Sequence, residues 1–294
     1  MTAETAPTTA METHTVDVPG ATLTYDVRQG SGSSTEPALF LIGHPMAAGG
    51  FVTLASHFPD RTVITYDPRG FERSVREAGS PFNTPELTAD DVHAVIGALG
   101  GGPVDLFGSS GGAVTALALV ARHPNDVRTL IAHEPPLTAV LPDRAQADAA
   151  VKDIVNTYQS RGFGHAMAKF MGVVMLQGEV PADWASRPAP DPAMFGMPAD
   201  DDGKRDDTMM GSMVAITSYQ PDIAAINAAP TRVVIAAGED EEGTMANRGA
   251  HGVAELLGSP VVKFPGGHGG FLGGEYGQMG KPKEFAAKLR EVLG

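Results

Sequence analysis

One serine lies in a sequence context that could make it a nucleophile. Ser110 is the central residue of Gly108-Ser109-Ser110-Gly111-Gly112. This segment follows the apolar run Val104–Phe107 and leads into the helical pattern Gly112–Arg122. A G-x-S-x-G sequence between a strand and a helix forms a sharp, strained turn that exposes the serine hydroxyl. Backbone N–H groups at the start of such a helix can also stabilise an oxyanion. We therefore predict that Ser110 is a nucleophile.

A histidine near the C-terminus could accept the proton of this serine. His268 lies in a glycine-rich loop, Pro265–Gly270, directly after the apolar run Val261–Phe264. The glycines leave room for the imidazole to approach Ser110, and a serine nucleophile requires an adjacent base. The other eight of the nine histidines have poorer contexts, mostly in helical patterns or the N-terminal tail. We predict that His268 is the general base.

Two groups of carboxylates could orient this histidine, and the sequence leaves both open. Glu134 follows the apolar run Val127–Ala132 and precedes two prolines. A carboxylate buried at a strand end needs a partner, and an imidazolium would be one. The second group, Glu239, Asp240 and Glu241, follows the run Arg232–Ala236. Both groups give the order serine, acid, histidine. We favour Glu134, with the later loop as the alternative.

These residues are separated by alternating strand-like and helix-like segments. Thr15–Val27 predicts a hairpin that turns at Pro19-Gly20. Continuous apolar runs predict strands that are covered on both faces. These strands are Ala38–Gly43, Thr62–Tyr66, Val104–Phe107, Val127–Ala132, Arg232–Ala236 and Val261–Phe264. Helical patterns lie between and after them, at Leu87–Leu99, Gly112–Arg122, Ala246–Leu257 and Glu284–Leu293. Such alternation predicts an α/β fold, with a mostly parallel sheet and helices on both faces.

A long helical segment interrupts this alternation. Residues 137–229 contain helix-like stretches and few strand signals, and they include several methionines. We expect a helical cap over the carboxyl edge of the sheet, where ligands bind in open α/β folds. The methionines would be either ordinary helix core or an adaptable apolar pocket wall. The expected organisation is a disordered tail at residues 1–15, a core at 16–136 and 230–294, and the cap at 137–229.

Composition excludes several classes of function. The 294 residues include no cysteine, which excludes disulfides, zinc–thiolate sites and a thiol nucleophile. A formal net charge of −14 argues against a nucleic-acid partner, which would require basic patches. No apolar run approaches the ~20 residues that span a bilayer, and the N-terminus does not resemble a signal peptide. We expect a cytoplasmic monomer or homodimer with no membrane or nucleic-acid partner.

Further motifs resemble those of the α/β-hydrolase family. Ile42-Gly43-His44-Pro45 is similar to the family's His-Gly-x-Pro loop, with Ile42 in place of the histidine. Asp67–Ser74 resembles the family's Asp-x-x-Gly-x-Gly-x-Ser turn. The resemblance covers most of the chain outside residues 137–229. It implies the α/β-hydrolase fold, with a mostly parallel eight-stranded sheet, helices on both faces and a helical cap.

The resemblance also implies roles for particular residues. The backbone N–H groups of His44 and Gly111 would form the oxyanion hole, while the His44 ring would either face the pocket or pack against the core. Most family members carry an aspartate at the position of Glu241. Glu134 instead resembles members whose acid follows the sixth strand, such as some haloalkane dehalogenases and the zearalenone-lactonase-type hydrolases.

Together these features predict a serine hydrolase that uses two-step acyl transfer. The expected substrate is a carboxyl ester or lactone of a small to mid-sized apolar compound, and the reaction requires no metal and no organic cofactor. Two alternatives stay open at this stage. One is a cofactor-free perhydrolase or haloperoxidase-like enzyme, and the other is a non-catalytic, hydrolase-like ligand receptor.

Overall fold

A computed structural model describes residues 11–31 and 35–294. Within these residues nine strands form one mixed sheet, in the order β1-β2-β4-β3-β6-β7-β8-β9, and the short β5 pairs with β2. The strands are β1 (Met11–Val18), β2 (Ala21–Arg28), β3 (Leu39–His44), β4 (Val63–Tyr66), β5 (Val75–Arg76), β6 (Val104–Ser110), β7 (Val127–His133), β8 (Arg232–Gly238) and β9 (Val261–Phe264). The six strands from β4 to β9 in this order are parallel to one another. The predicted α/β-hydrolase fold with its mostly parallel sheet is confirmed, and β5 is an addition.

The N-terminal hairpin begins earlier than the sequence predicts. Met11 pairs with Arg28 and Val18 with Ala21, so Met11–Thr15 are part of a strand, although we expected them in a tail. Residues 1–10 of that expected tail lie outside the described residues. Most side chains of β1 are exposed. Backbone pairing rather than burial holds β1 at the sheet edge, and apolar patterning does not detect such a strand.

Helices cover both faces of the sheet. Within the described residues they are α1 (Val52–Ser56), α2 (Pro85–Ala98), α3 (Gly111–Arg122), α4 (Arg144–Arg161), α5 (Phe163–Val174), α6 (Thr208–Thr217), α7 (Ile223–Ala228), α8 (Met245–Leu257) and α9 (Pro282–Leu293). Helices α2, α3 and α8 contribute to the apolar core on one face, and α1 and α9 to the core on the other. Short α1 and α7 have no counterpart in the sequence analysis, because each is too short for a clear apolar period. No helix in the described ranges is long and apolar enough to cross a membrane.

The segment between β7 and β8 is helical and has its own apolar cluster. Helices α4, α5 and α6 contribute to this cluster. Met210 and Met213 are buried in it, whereas Met175 is exposed. Two methionines thus serve as ordinary helix core. The start of α6 also lies close to the main domain, because a Cβ added to Gly70 would be 2.6 Å from Thr208 Oγ1.

Candidate active site

Strand register brings the predicted functional residues to one edge of the sheet. His44 at the end of β3 lies opposite Ser110 at the end of β6. Ser109 lies opposite His133 at the end of β7, and Gly238 at the end of β8 lies opposite Phe264 at the end of β9. The carboxyl ends of these parallel strands therefore coincide. Residues that directly follow them share this edge, as ligand-binding residues do in open α/β sheets.

Ser110 has the strained backbone that its motif predicts. Its φ of 57° and ψ of −128° lie in a region that favours glycine, and α3 begins at the next residue. Holding a non-glycine residue there costs about 1–3 kcal/mol, so the surrounding packing must impose it. A Cβ on Gly112 would lie 2.5 Å from the carbonyl oxygen of Ile42, and one on Gly108 would lie 2.8 Å from that of Gly112. The two glycines thus allow β3, the turn and α3 to pack closely.

A short contact joins Glu134 to His268. Glu134 Oε2 lies 2.6 Å from His268 Nδ1. The other carboxylate oxygen, Oε1, accepts hydrogen bonds from the backbone N–H of Gly238 at 2.9 Å and from Asn247 Nδ2 at 3.4 Å. Glu134 is fully buried, whereas 37% of the His268 side chain is exposed. The buried carboxylate therefore has a partner on each oxygen, and the imidazole keeps an open side.

The charges of this pair reinforce one another. Burial alone would raise the pKa of Glu134, but the hydrogen bond and charge of His268 and the N–H of Gly238 lower it to about 2. Burial alone would lower the pKa of His268, but the hydrogen bond and charge of Glu134 raise it above its usual value. Because an ionised carboxylate only accepts hydrogen bonds, Nδ1 of His268 carries the proton. Nε2 is then free to accept one.

The acidic loop after β8 is arranged differently. Asp240 forms an ion pair with Lys281 at 2.8 Å, and both side chains are about half exposed. Glu241 lies beside the histidine loop, since a Cβ on Gly267 would be 2.5 Å from Glu241 Oε1. Its charge contributes to the raised pKa of His268. The structure therefore brings Glu134 into contact with the imidazole, while Glu241 acts on it through its charge.

His44 is packed into the protein. Its ring is 5% exposed and lies edge-on to Phe71, with 5.2 Å between the ring centroids. Nε2 of His44 is 3.2 Å from Nδ2 of Asn83, whose amide also donates to the carbonyl oxygen of Arg69. Nε2 therefore accepts, and burial lowers the pKa of His44 to about 4. Of the two arrangements considered for this ring, packing is the one observed.

The two residues expected to form the oxyanion hole are neighbours. A Cβ on Gly111 would lie 2.7 Å from the carbonyl oxygen of His44 and 3.2 Å from its Nδ1. Asn83, which fixes the His44 ring, was missed by the sequence analysis. The contact joins residues 39 positions apart, and no motif marks it. The backbone N–H of Asn83 donates to Ser212 Oγ in α6, so this network also reaches the helical segment.

A second histidine lies beneath the Glu134–His268 pair and was also missed. His133 is fully buried, and its ring centroid is 6.2 Å from that of His268. Aromatic rings surround it, including Phe107, Phe264 and Phe285. Burial lowers the pKa of His133 to about 4. Neither ring nitrogen has a hydrogen-bond partner in the described part of the chain. His133 is therefore a neutral, apolar-like support below the pair.

A cavity of about 650 Å³ is lined by residues of β2, β4 and the segment after β3. Its lining includes Asp26, Asp67 and Arg73, which form one ion-pair network, and Phe51 and Val63. It also includes Ala48, whose N–H donates to Asp67 Oδ1 at 3.0 Å. None of Ser110, Glu134 or His268 lines it. The cavity thus adjoins the loop after β3 and is separate from the three residues.

The order of the sheet and the turn at its carboxyl edge define a class of protein, and comparison with known proteins agrees. The chain belongs to the α/β-hydrolase family. Residues 37–168 match the family model described as alpha/beta hydrolase fold. Over 289 residues the chain is 30% identical to the uncharacterized hydrolase YraK of Bacillus subtilis (strain 168), and the match covers 95% of each chain.

Solved structures share the fold. A thermophilic esterase from Thermogutta terrifontis superposes with a TM-score of 0.66 and 20% identity, covering 96% of this chain and 98% of the esterase. The enol-lactonase from Burkholderia xenovorans LB400 gives a TM-score of 0.64 and 19% identity, covering 95% and 99%. At this identity the likeness concerns the architecture alone.

Proposed function

We propose that this protein is a serine hydrolase that cleaves a carboxyl ester or lactone of a small to mid-sized apolar compound through an acyl-enzyme. The observation that carries the proposal is the 2.6 Å contact between the buried Glu134 carboxylate and His268 Nδ1. A carboxylate at Nδ1 of a catalytic histidine fixes the tautomer of the ring and stabilises the imidazolium that forms during the reaction. Ser110 ends the strand adjacent to the one that Glu134 follows.

The first half of the reaction forms the acyl-enzyme. His268 Nε2 takes the proton of Ser110 as Oγ attacks the carbonyl carbon, and the carbonyl oxygen becomes an oxyanion. The backbone N–H groups of His44 and Gly111 stabilise that oxyanion. When the intermediate collapses, the C–O bond to the leaving group breaks, and His268 donates its proton to the departing alkoxide. Glu134 remains ionised throughout and stabilises the transient imidazolium.

The second half releases the acid. His268 accepts a proton from water as the water oxygen attacks the acyl carbon, and the same two N–H groups hold the new oxyanion. Collapse expels Ser110 Oγ, which recovers its proton from His268. Overall, an ester and water give an acid and an alcohol, and a lactone and water give a single hydroxy acid. No metal and no organic cofactor takes part.

Two kinds of observation support this substrate class. An esterase and an enol-lactonase are among the proteins with the same fold, and both names describe attack on a carboxyl ester bond. The expected apolar character of the substrate rests on the apolar cluster of helices α4, α5 and α6 within segment 137–229. Helix α6 also reaches the site, because Ser212 Oγ accepts from the backbone N–H of Asn83, which holds the His44 ring.

A fluorophosphonate probe combined with a panel of p-nitrophenyl esters and lactones tests the proposal. Wild type should be labelled, and Ser110→Ala should lose labelling and at least ~10³ in turnover while keeping its fold. Ser109→Ala is the matched control, because this neighbouring serine is buried and should leave labelling intact. Persistent labelling of Ser110→Ala would identify another nucleophile. A folded wild type that reacts with neither probe nor substrates would favour a receptor.

A further inference from the structure

Two histidines and a carboxylate that the proposed reaction does not use meet at the opposite edge of the sheet. His93 lies on α2, His123 follows the last residue of α3, and Asp126 directly precedes β7. Each offers one ligand atom, and in the described part of the chain these atoms lie within 4.8 Å of one another. The carbonyl oxygen of Asp126 accepts from the N–H of Val104, the first residue of β6. Ser110 ends that same strand, so the cluster is a full strand length from the reaction.

We propose that His93, His123 and Asp126 form a binding site for a divalent transition-metal ion, with Zn²⁺ as the best match. Imidazole nitrogens suit zinc, copper and nickel, whereas magnesium and calcium prefer oxygen ligands. Two imidazoles and one carboxylate are a common ligand set for zinc, which leaves a fourth position to water. The three side chains are between 14% and 49% exposed, so an ion can reach them from solvent.

His123 already has the outer partner that metal-bound histidines usually have. Its Nε2 lies 2.8 Å from Asp90 Oδ1, which leaves Nδ1 as the free lone pair. Arg122 holds the same carboxylate through two hydrogen bonds, of 3.0 and 2.7 Å. A carboxylate on the far nitrogen fixes the tautomer and orientation of a ligating imidazole and raises its basicity. This feature separates the cluster from an ordinary surface ion pair.

His93 and Asp126 would supply the other two ligands. Nδ1 of His93 lies 2.7 Å from Asp126 Oδ2, at hydrogen-bond distance, so the two atoms would separate slightly to hold one ion. The ion would replace the proton between these two atoms, and the His93 ring would carry its proton on Nε2 instead. His123 and Asp126 are held on one turn, because the N–H of Asp126 donates to the carbonyl oxygen of His123 at 3.1 Å.

One movement is needed to complete the site. The two rings are stacked, with centroids 3.9 Å apart and planes 6° apart, whereas a metal ion binds in the plane of an imidazole. Ligand atoms on a tetrahedral zinc with bonds of about 2.0–2.1 Å lie about 3.3 Å apart. His93 is the side chain with room to turn, since 49% of it is exposed.

Calorimetric titration of the full chain with Zn²⁺ tests this site. We expect one Zn²⁺ per chain, no binding of Mg²⁺, and a Tm that rises with Zn²⁺ because the ion would join α2 to the turn after α3. His93→Gln and His123→Gln should each weaken Zn²⁺ binding at least about 100-fold. Asp90→Asn should weaken it about 10-fold, as loss of an outer partner does.

The control is His251→Gln, which removes an exposed histidine of α8 and should leave the affinity unchanged. Tm values of the metal-free variants report whether each has folded. Two results would overturn the proposal. One is no Zn²⁺ binding by the folded wild type up to millimolar concentration. The other is binding that His251→Gln weakens as much as His93→Gln and His123→Gln do.

Discussion

Replacing Glu134 by glutamine should disable the proposed base while leaving its shape intact. Oε1 of Glu134 faces two donors, the N–H of Gly238 and the amide of Asn247. A glutamine must place its carbonyl oxygen there, because its NH₂ group would meet other donors. The NH₂ group then faces His268 Nδ1. That nitrogen is forced to accept, and the ring proton moves to Nε2, which can no longer take a proton from Ser110.

The expected loss is large. Holding the imidazole in the wrong tautomer through the equivalent Asp→Asn change costs about 10⁴ in turnover in chymotrypsin-like proteases, or about 5 kcal/mol in the activation free energy. We expect Glu134→Gln to lose 10³–10⁴ in kcat. Glu134 raises the pKa of His268, so its loss should lower that pKa. The residual activity should therefore begin to fall at a lower pH than wild-type activity does when the solution is acidified.

Steady-state kinetics on a p-nitrophenyl ester between pH 4 and 9 measure both effects. Asp240→Asn and Glu241→Gln are the matched controls, because each removes one carboxylate of the alternative loop. The kcat of Asp240→Asn should stay within about threefold of wild type. Glu241→Gln should mainly shift the low-pH side of the activity profile to lower pH, because the charge of Glu241 raises the pKa of His268. Circular dichroism should give wild-type spectra for all three. If Glu134→Gln stays within tenfold of wild type while a control loses 10³, the assignment of the acid is wrong.

Three further predictions concern stability, each measured by urea unfolding. The free energy of unfolding of Ser110→Gly should exceed that of Ser110→Ala by about 1 kcal/mol, because only glycine adopts the positive φ without strain. Burial gives His44 and His133 pKa values of about 4 when folded, against about 6.5 when unfolded, so together they should lower the free energy of unfolding by about 3 kcal/mol from pH 8 to 5.5, while the raised pKa of His268 acts in the opposite direction. His133→Phe should remove about half of that 3 kcal/mol. Gly112→Ala should cost at least about 2 kcal/mol, because its Cβ meets backbone; Gly97→Ala, in open space on α2, should not.

Much of the fold could be predicted because the parallel strands are buried on both faces. The run Ala38–Gly43 predicts β3, and Val127–Ala132 predicts β7, each to within a residue at either end. The edge strand β1 could not be located in full, because its side chains are mostly exposed and its pairing lies in the backbone. Apolar patterns thus locate strands that are buried, but they do not locate strands that only backbone hydrogen bonds hold in place.

The candidate site divides in the same way. Chain order and the ends of apolar runs placed both candidate acids near His268 and favoured Glu134, because parallel strands end at a common edge. The contact of Glu134 with His268 is the one observed. The partners of these residues were not predictable. Asn83 contacts His44, and Asn247 contacts Glu134 across 113 positions, and neither asparagine lies in a motif. Hydrogen bonds of this kind depend on how helices dock onto the sheet, which local sequence does not encode.

Groups at and after the end of β8 allow a carboxylate to be buried at position 134. The family resemblance implies that most members carry their acid in the loop that follows the strand corresponding to β8. Here that end provides donors: Gly238 gives an N–H to Glu134, and Asn247, on the next helix, gives an amide. A carboxylate one strand nearer to Ser110 is thereby solvated by the protein while it stays buried. Asp240 is left free to pair with Lys281 at the surface. The contact between Glu134 and His268 Nδ1 is possible because β7 and β8 end side by side.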